Sequence, residues 1–422
     1  DLIWALAIIK KACATANLDL KRLEPKRAGA ILKAGDEIAA GKLRDQFVTD
    51  AFHSGAGVSL HMNTNEVIAN RALEILGRKK GDYAFINPHD HVNMGQSTND
   101  VIPTAIRLAA LRLLKAFSVS SGILEESLEK KSREFRKVIK AGRTHLQDAA
   151  PITLGQEFSG WARQIEKAWE RIEGLAQNLL ELGIGGSAVG TGLNTTLAYR
   201  RAVLANLRRL SGFPVKSAKN LFEVMQSDAD LAAVSGGLRD YALSLIQICN
   251  DLRLLSSGPR TGFAEINLPA RQPGSSIMPG KVNPVMPEVS AQVAFQVIGN
   301  DLAIAFAASS GQLELNVMRP VIAHNLLQSI EMLKNTARAL SDFCIRGITA
   351  NLGKCRAYAE SSPGIAAALN PVMGYTKAAK CVQESLKTGK PLRKILLEGR
   401  LLKPDQIDRI LSPENLTRPG AS

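Results

Sequence analysis

The fold of this chain is decided by one apolar stretch, residues 285–310, which reads VMPEVSAQVAFQVIGNDLAIAFAASS. Apolar side chains occur on nearly every side of a helix drawn through it. Such a pattern is expected of a helix that other helices surround. The stretch therefore predicts a helix at the centre of a bundle.

Long amphipathic patterns lie on both sides of this stretch. In residues 154–182, 231–255 and 322–343, apolar positions recur at intervals of three and four, which indicates long helices with one apolar face. Residues 106–140 supply another helix, and convincing two-residue alternation between turns is hard to find. We therefore predict an all-α fold, a long-helix bundle whose surplus apolar faces favour a homo-oligomer.

The same pattern divides the chain into three parts. We expect an N-terminal domain over residues 1–97, the central long-helix bundle over residues 98–351 and a small C-terminal helical domain over residues 352–422. Asp1 stands in mid-pattern with no initiator methionine, so we expect the N-terminal domain to lack a piece at its start.

Composition narrows the class of partner. The chain has 53 Lys and Arg against 39 Asp and Glu, a net charge of +14. These basic residues are spread over helix faces with few aromatic residues between them, which is typical of solvated surfaces and not of a nucleic-acid groove. The five cysteines form no C-x-x-C pair, which fits buried thiols in a reducing compartment. The apolar residues 2–9 are too few to span a membrane. We therefore predict a cytoplasmic protein with neither a nucleic-acid nor a membrane partner.

The most unusual loop, residues 274–284, reads GSSIMPGKVNP and comes just before the apolar stretch. It is not a phosphate-binding loop, because five residues separate Gly274 from Gly280 and Val282 stands where Ser or Thr should bind magnesium. A serine, a lysine and several backbone N–H groups in one loop suit an oxyanion that forms beside a base. The alternative is an ordinary connection between helices.

Two further polar segments interrupt the helices. Residues 142–149, GRTHLQDA, place Thr144, His145 and Asp148 in one short break, where the imidazole is a candidate for proton transfer or a structural histidine. Residues 93–100, NMGQSTND, precede a helix expected to start at Pro103. Exposed N–H groups at a helix start favour a carboxylate, and a simple N-cap is the alternative.

The sequence gives no sign of a metal or an organic cofactor. The segment His89-Asp90-His91 is not completed by a spacing that would hold a metal. The glycines between Gly183 and Gly192 lack the spacing of a dinucleotide fingerprint and follow no predicted strand. We predict neither group.

Taken together, the loop 274–284 and the segments 142–149 and 93–100 resemble the fumarase/aspartase superfamily. Residues 61–70, HMNTNEVIAN, are similar to a fourth stretch of the fumarase and aspartase branch. The resemblance implies a homotetramer of long helices, with each active site assembled from three subunits. It also implies a small dicarboxylate substrate and chemistry without metal or organic cofactor.

By this resemblance, Ser275 is the general base that removes the C3 proton of a substituted succinate. Lys281 and Asn283 would help hold the carboxylate that becomes an aci-carboxylate dianion. The positions that match the family's substrate-binding residues are Ser97, Thr98, Asn99, Thr144 and His145, and Glu288 matches the partner of that histidine.

One departure concerns substrate binding. The family has Gly-Thr where this chain has Gly57-Val58, which removes a hydroxyl that would contact a substrate carboxylate. We expect the change to affect affinity or activity.

Small differences decide the reaction. Residues 96–99, 265–269, 285–288 and 347–351 look more like the ammonia-eliminating members, whereas Arg319, His324-Asn325 and Gln328-Ser329 look more like fumarases. The resemblance therefore implies elimination of ammonia from L-aspartate to give fumarate. Hydration of fumarate, as in class II fumarases, is the first alternative, and a helical oligomer without catalysis is the second.

Overall fold

The structure, a computed structural model, describes residues 1–53 and 55–419. Helices dominate it, so the predicted all-α class is confirmed. The chain forms two compact units. The first comprises Asp1–Val119, Ala168–Leu243 and Val293–Asn335, and the second comprises Ser120–Lys167, Ser244–Gln292 and the chain from Thr336 onward. The unit boundaries fall inside the long helices, and the three predicted domains stay a prediction.

In chain order the helices are α1 (Leu2–Asp19), α2 (Pro25–Ala39), α3 (Val58–Ile75), α4 (Thr98–Glu134), α5 (Leu154–Ala176), α6 (Leu197–Ser211), α7 (Leu221–Gln226), α8 (Ala229–Leu255), α9 (Val285–Ala308), α10 (Arg319–Phe343), α11 (Leu352–Ser361), α12 (Asn370–Met373), α13 (Tyr375–Thr388), α14 (Leu392–Glu398), α15 (Pro404–Ile410) and α16 (Pro413–Thr417). The strands are β1 (Ile139–Thr144), β2 (Gln147–Thr153), β3 (Glu181–Leu182), β4 (Lys216–Ser217), β5 (Ile266–Asn267) and β6 (Thr349–Ala350). Short 3-10 turns and the π-helical turn Pro88–Val92 connect them.

The long helices predicted from apolar spacing are present as α4, α5, α8, α9 and α10. In the first unit, the Phe117 ring meets Trp169 and Tyr241 edge-on, with centroid distances of 5.3 and 5.0 Å. In the second unit, Phe158 packs in the same way against Phe135 and Trp161. These contacts bury the apolar faces on which the helix prediction rested.

The terminal segments also have compact cores. In the first unit, residues of α1, α2 and α3 such as Ala7, Ile31 and Ile68 are fully buried together. In the second unit, residues between Ile365 and Ile410 form a separate cluster. Each cluster gives its short helices the tertiary support that isolated helices of this length lack.

The polar break around residue 145 differs from the prediction. Residues 139–153 form an antiparallel hairpin, with Thr144 opposite Gln147 and a two-residue turn between β1 and β2. The sequence does not predict this hairpin, because its turn, His145-Leu146, lacks the Asn-Gly or Gly-Gly signal of such turns.

Helix α9 is not enclosed on every side in a single chain. Ala294, Val297 and Ile304 are buried, whereas Phe295, Leu302 and Phe306 are 58–68% exposed. By length and composition alone α9 would also pass as a membrane span, which is weak support since core helices of soluble proteins pass the same test. The predicted central helix therefore keeps one apolar face open.

Candidate active site

Ser97, Thr98 and Asn99 lie at the start of α4, in the first unit. The Ser97 hydroxyl accepts a hydrogen bond from the Asn99 N–H (3.2 Å), and the Ser97 N–H donates to Asp100 Oδ1 (3.0 Å). This reciprocal capping starts the helix at Thr98, so the start expected at Pro103 was wrong. The positive end of a long helix dipole lies beside these polar side chains, an arrangement that favours an anion.

Asp100 fixes this helix start to the glycine-rich segment. Its Oδ2 accepts hydrogen bonds from the N–H groups of Gly185 and Ser187, each at 3.0 Å. Burial raises the pKa of Asp100 to about 6, and the three backbone donors oppose that rise. The Asp100 carboxylate therefore connects the segment that precedes α4 to the glycine-rich segment.

Arg319 supports the same helix start. Pro103 has no N–H, so it cannot donate to the Asn99 carbonyl four residues earlier. Arg319 Nη1 lies 3.3 Å from that carbonyl and donates to it instead. The fully buried guanidinium also pairs with Asp228 at 3.2 Å and donates to the Met225 carbonyl at 2.7 Å.

Sequence reasoning missed two residues next to this site. Lys10 is fully buried in α1, and its Nζ lies 2.7 Å from His61 Nε2 in α3. The other nitrogen of His61, Nδ1, lies 2.7 Å from Thr98 Oγ1. The sequence does contain one signal, because Lys10 stands in the middle of the apolar run AIIKKACA. A lysine among apolar residues is unusual, since lysine side chains are seldom fully buried.

Thr144 and His145 lie at the exposed tip of the hairpin, in the second unit. His145 and Leu146 have φ angles of +56° and +59°, a left-handed conformation that is uncommon for residues with a side chain. A two-residue turn of this kind matches the twist of the flanking strands. It presents the imidazole to solvent, away from the core.

A buried carboxylate anchors the base of this hairpin. Glu265 is fully buried and lies 3.1 Å from Lys140 Nζ and 2.9 Å from Arg143 Nη1, both on β1. Glu157 of α5 holds the same lysine at 2.9 Å. The attraction between paired charges offsets part of the cost of removing them from water, and these pairs fix the strand that leads to Thr144.

The loop 274–284 closes on itself in the second unit. The Gly274 N–H donates to the Lys281 carbonyl (2.9 Å), and Asn283 Nδ2 donates to the Gly274 carbonyl (2.8 Å). Inside this closure, Ser275 Oγ accepts hydrogen bonds from the N–H groups of Ile277 (3.2 Å) and Met278 (3.0 Å). Donors directed at a hydroxyl oxygen favour its ionised form.

The second unit thus brings Ser275, Lys281 and Asn283 into one loop, and Glu288 follows in the first turn of α9. Among the described contacts of a single chain, no hydrogen bond or ion pair joins His145 to Glu288, so that pairing stays a prediction.

Val58, which stands where the family has threonine, is the first residue of α3, and its side chain is 43% exposed.

Fold and motifs together define a helical lyase, and comparison with known families agrees. Residues 2–299 match the family described as Lyase, and residues 365–418 match the one described as Fumarase C C-terminus. The chain belongs to this lyase family, that of the fumarase/aspartase superfamily predicted from its motifs.

Similar proteins carry the names of particular enzymes. The chain is 50% identical to aspartate ammonia-lyase of Bacillus subtilis, over all of this chain and 88% of the relative. It is 47% identical to aspartate ammonia-lyase of Helicobacter pylori, over 99% of this chain and 90% of the relative.

Two solved structures share the fold. A crystal structure of fumarate lyase:delta crystallin from Brucella melitensis bound to cobalt has a TM-score of 0.96 and 48% identity, covering 99% of this chain and 91% of that one. A class II fumarase from Schistosoma mansoni has a TM-score of 0.94 and 37% identity, with the same coverage.

Proposed function

We propose that this lyase eliminates ammonia from L-aspartate, reversibly, to give fumarate. The observation that carries the proposal is the pair of backbone N–H groups directed at Ser275 Oγ inside the closed loop. The names of the similar proteins support aspartate as the substrate.

The chemistry needs a strong base and a site for a second negative charge. Ionised Ser275 takes the C3 proton of aspartate, and the electron pair of that C–H bond moves into the neighbouring carboxylate to form an aci-carboxylate dianion. The pair then forms the C2–C3 double bond as the C2–N bond breaks, and ammonia leaves with the electrons of that bond. A carbon acid this weak reacts only where preorganised donors and cations stabilise the dianion.

The other predicted residues have binding roles in this scheme. Lys281 and Asn283 hold the reacting carboxylate, and the lysine charge also favours the serine alkoxide. Glu288 sets the charge of His145. The residues proposed to bind substrate directly are Ser97, Thr98, Asn99, Thr144 and His145.

We further propose a cytoplasmic homotetramer whose active sites are shared between subunits. The open apolar face of α9 supports assembly, because exposed aromatic and aliphatic side chains of this kind mark protein interfaces. The small dicarboxylate is the ligand, and no cofactor takes part in the chemical step.

The alternative reaction is the hydration of fumarate to L-malate. The fumarase-like positions Arg319, His324-Asn325 and Gln328-Ser329 support it, as does the 37% identity to a class II fumarase over 99% of this chain. In the direction of elimination, from L-malate, this reaction uses the same proton abstraction at C3, and the leaving group is water instead of ammonia.

The variant Ser275→Ala tests the proposed base. We expect the rate of fumarate formation from L-aspartate to fall by about 10²- to 10⁴-fold, the usual contribution of a positioned base. Val282→Ala is the matched control, because Val282 is an exposed residue of the same loop. Its turnover should stay close to that of the unmodified chain. Full turnover in Ser275→Ala would show that Ser275 is not the general base.

A further inference from the structure

A chain of buried hydrogen bonds leads to the start of α4. Lys10 Nζ lies 2.7 Å from His61 Nε2, 3.0 Å from Asn93 Oδ1 and 2.7 Å from Gln96 Oε1. His61 Nδ1 in turn lies 2.7 Å from Thr98 Oγ1. The imidazole therefore connects a lysine to the hydroxyl that we propose binds substrate.

The two amides can only accept from Lys10. Asn93 Nδ2 donates to the Gln96 carbonyl at 3.3 Å, and Gln96 Nε2 donates to the Val92 carbonyl at 3.0 Å. With their nitrogens used in this way, both amides present oxygen to the lysine. The contact with His61 is different, because a neutral imidazole carries its proton on either nitrogen.

We propose that Lys10 and His61 form a positioning relay in which the charge on the lysine sets the direction of the Thr98 hydroxyl. An ammonium has three N–H groups for its three acceptors. His61 then accepts at Nε2, carries its proton at Nδ1 and donates to Thr98 Oγ1, which leaves the Thr98 O–H free to donate to a carboxylate.

The neutral lysine reverses this order. Its two N–H groups serve Asn93 and Gln96, and its lone pair faces His61. The imidazole then carries its proton at Nε2 and donates to the lysine, and its Nδ1 accepts the Thr98 O–H. The hydroxyl hydrogen is therefore withdrawn from the substrate side.

The surroundings place this change near neutral pH. Burial lowers the pKa of Lys10 to about 7. Burial, followed by the nearby lysine charge, lowers the pKa of His61 well below its usual range, so the imidazole stays neutral in both states. The other titratable groups that act on the pair are Cys13 on α1, Asp100 on α4 and His89 in the π-helical turn, and Cys13 in turn contacts Tyr199 on α6. Burial raises the pKa of the Cys13 thiol to about 12 and that of the Tyr199 hydroxyl well above its usual range, so both stay neutral.

The effect on ligand binding rests on the proposed function, and fumarate is the probe because its carboxylates stay ionised at neutral pH. Isothermal titration calorimetry on the full chain would measure its dissociation constant at about pH 6 and about pH 8, on either side of the Lys10 pKa of about 7. We expect weaker binding at the higher pH, by about tenfold, since one hydrogen bond to a charged group is lost.

Variants at Thr98 isolate the relay from other titrations. Thr98→Val has the same shape without the hydroxyl, so its affinity should be low at both pH values and the pH dependence should disappear. Thr98→Ser keeps the hydroxyl and should keep the pH dependence. A Thr98→Val chain with an unchanged pH dependence would overturn the relay.

Histidine nitrogen-15 NMR tests the relay without any ligand. The six histidines make assignment practicable, with His61→Asn identifying the signal. We expect the His61 proton on Nδ1 at about pH 6 and on Nε2 at about pH 8, whereas one tautomer at both pH values would refute the relay. If fumarate bound at neither pH, the result would count against the proposed function. The tautomer of His61 would still decide whether the relay exists.

Discussion

At the scale of single residues, the side chains proposed to act in this lyase fall into two groups. Ser275, Lys281 and Asn283 stand within one loop and were predicted together. Lys10 and His61 come from different helices and meet at Thr98 only after the chain folds, so spacing along the sequence could not pair them.

Gly274 gives a prediction at this scale. A Cβ on this residue would lie 2.3 Å from the Lys281 carbonyl oxygen, closer than atoms can approach. We expect Gly274→Ala to open the loop and lower the turnover of L-aspartate by at least about tenfold, because a small displacement of catalytic groups is costly. Circular dichroism should show unchanged helix content.

The matched control is Gly160→Ala in α5. A Cβ there meets nothing within 4 Å. Its activity should be unchanged, and full activity in Gly274→Ala would show that the closed loop is not required.

At the scale of elements, apolar periodicity located the long helices but not how they begin or connect. The sequence predicts a polar break where the structure has the hairpin 139–153, because short strands with an unusual turn carry little periodic signal. The sequence predicts a helix start at Pro103, whereas the capping by Ser97 and Asp100 begins α4 earlier. Arg319 makes this possible by supplying the donor that Pro103 lacks.

The variant Arg319→Met tests how much the buried Arg319 side chain contributes to stability. Arg319→Met leaves Asp228 buried without its partner, so we expect the free energy of unfolding to fall by about 3–5 kcal/mol. Urea titration followed by circular dichroism measures the change. Arg338→Met breaks an exposed pair with Asp342 and should cost less than about 1 kcal/mol. Equal losses in the two variants would contradict the role assigned to Arg319.

At the scale of the whole molecule, the apolar stretch that predicted a central helix is not covered on every side within one chain. Phe295, Leu302 and Phe306 remain exposed on α9, and a proposed tetramer would bury them. We expect sedimentation velocity to show a tetramer, and Phe306→Asp to dissociate it with loss of activity, because a charge in an apolar interface is strongly unfavourable. Tyr375→Asp, on an exposed residue of α13, should leave assembly intact. A monomeric chain with full activity would contradict shared active sites.

The activity proposed for this lyase is the elimination of ammonia from L-aspartate. The direct measurement is the ultraviolet absorbance of fumarate, with the purified chain offered L-aspartate and L-malate in parallel at matched pH and salt. The proposal predicts a rise with L-aspartate and none with L-malate. A rise with L-malate alone would contradict it and make the chain a fumarase.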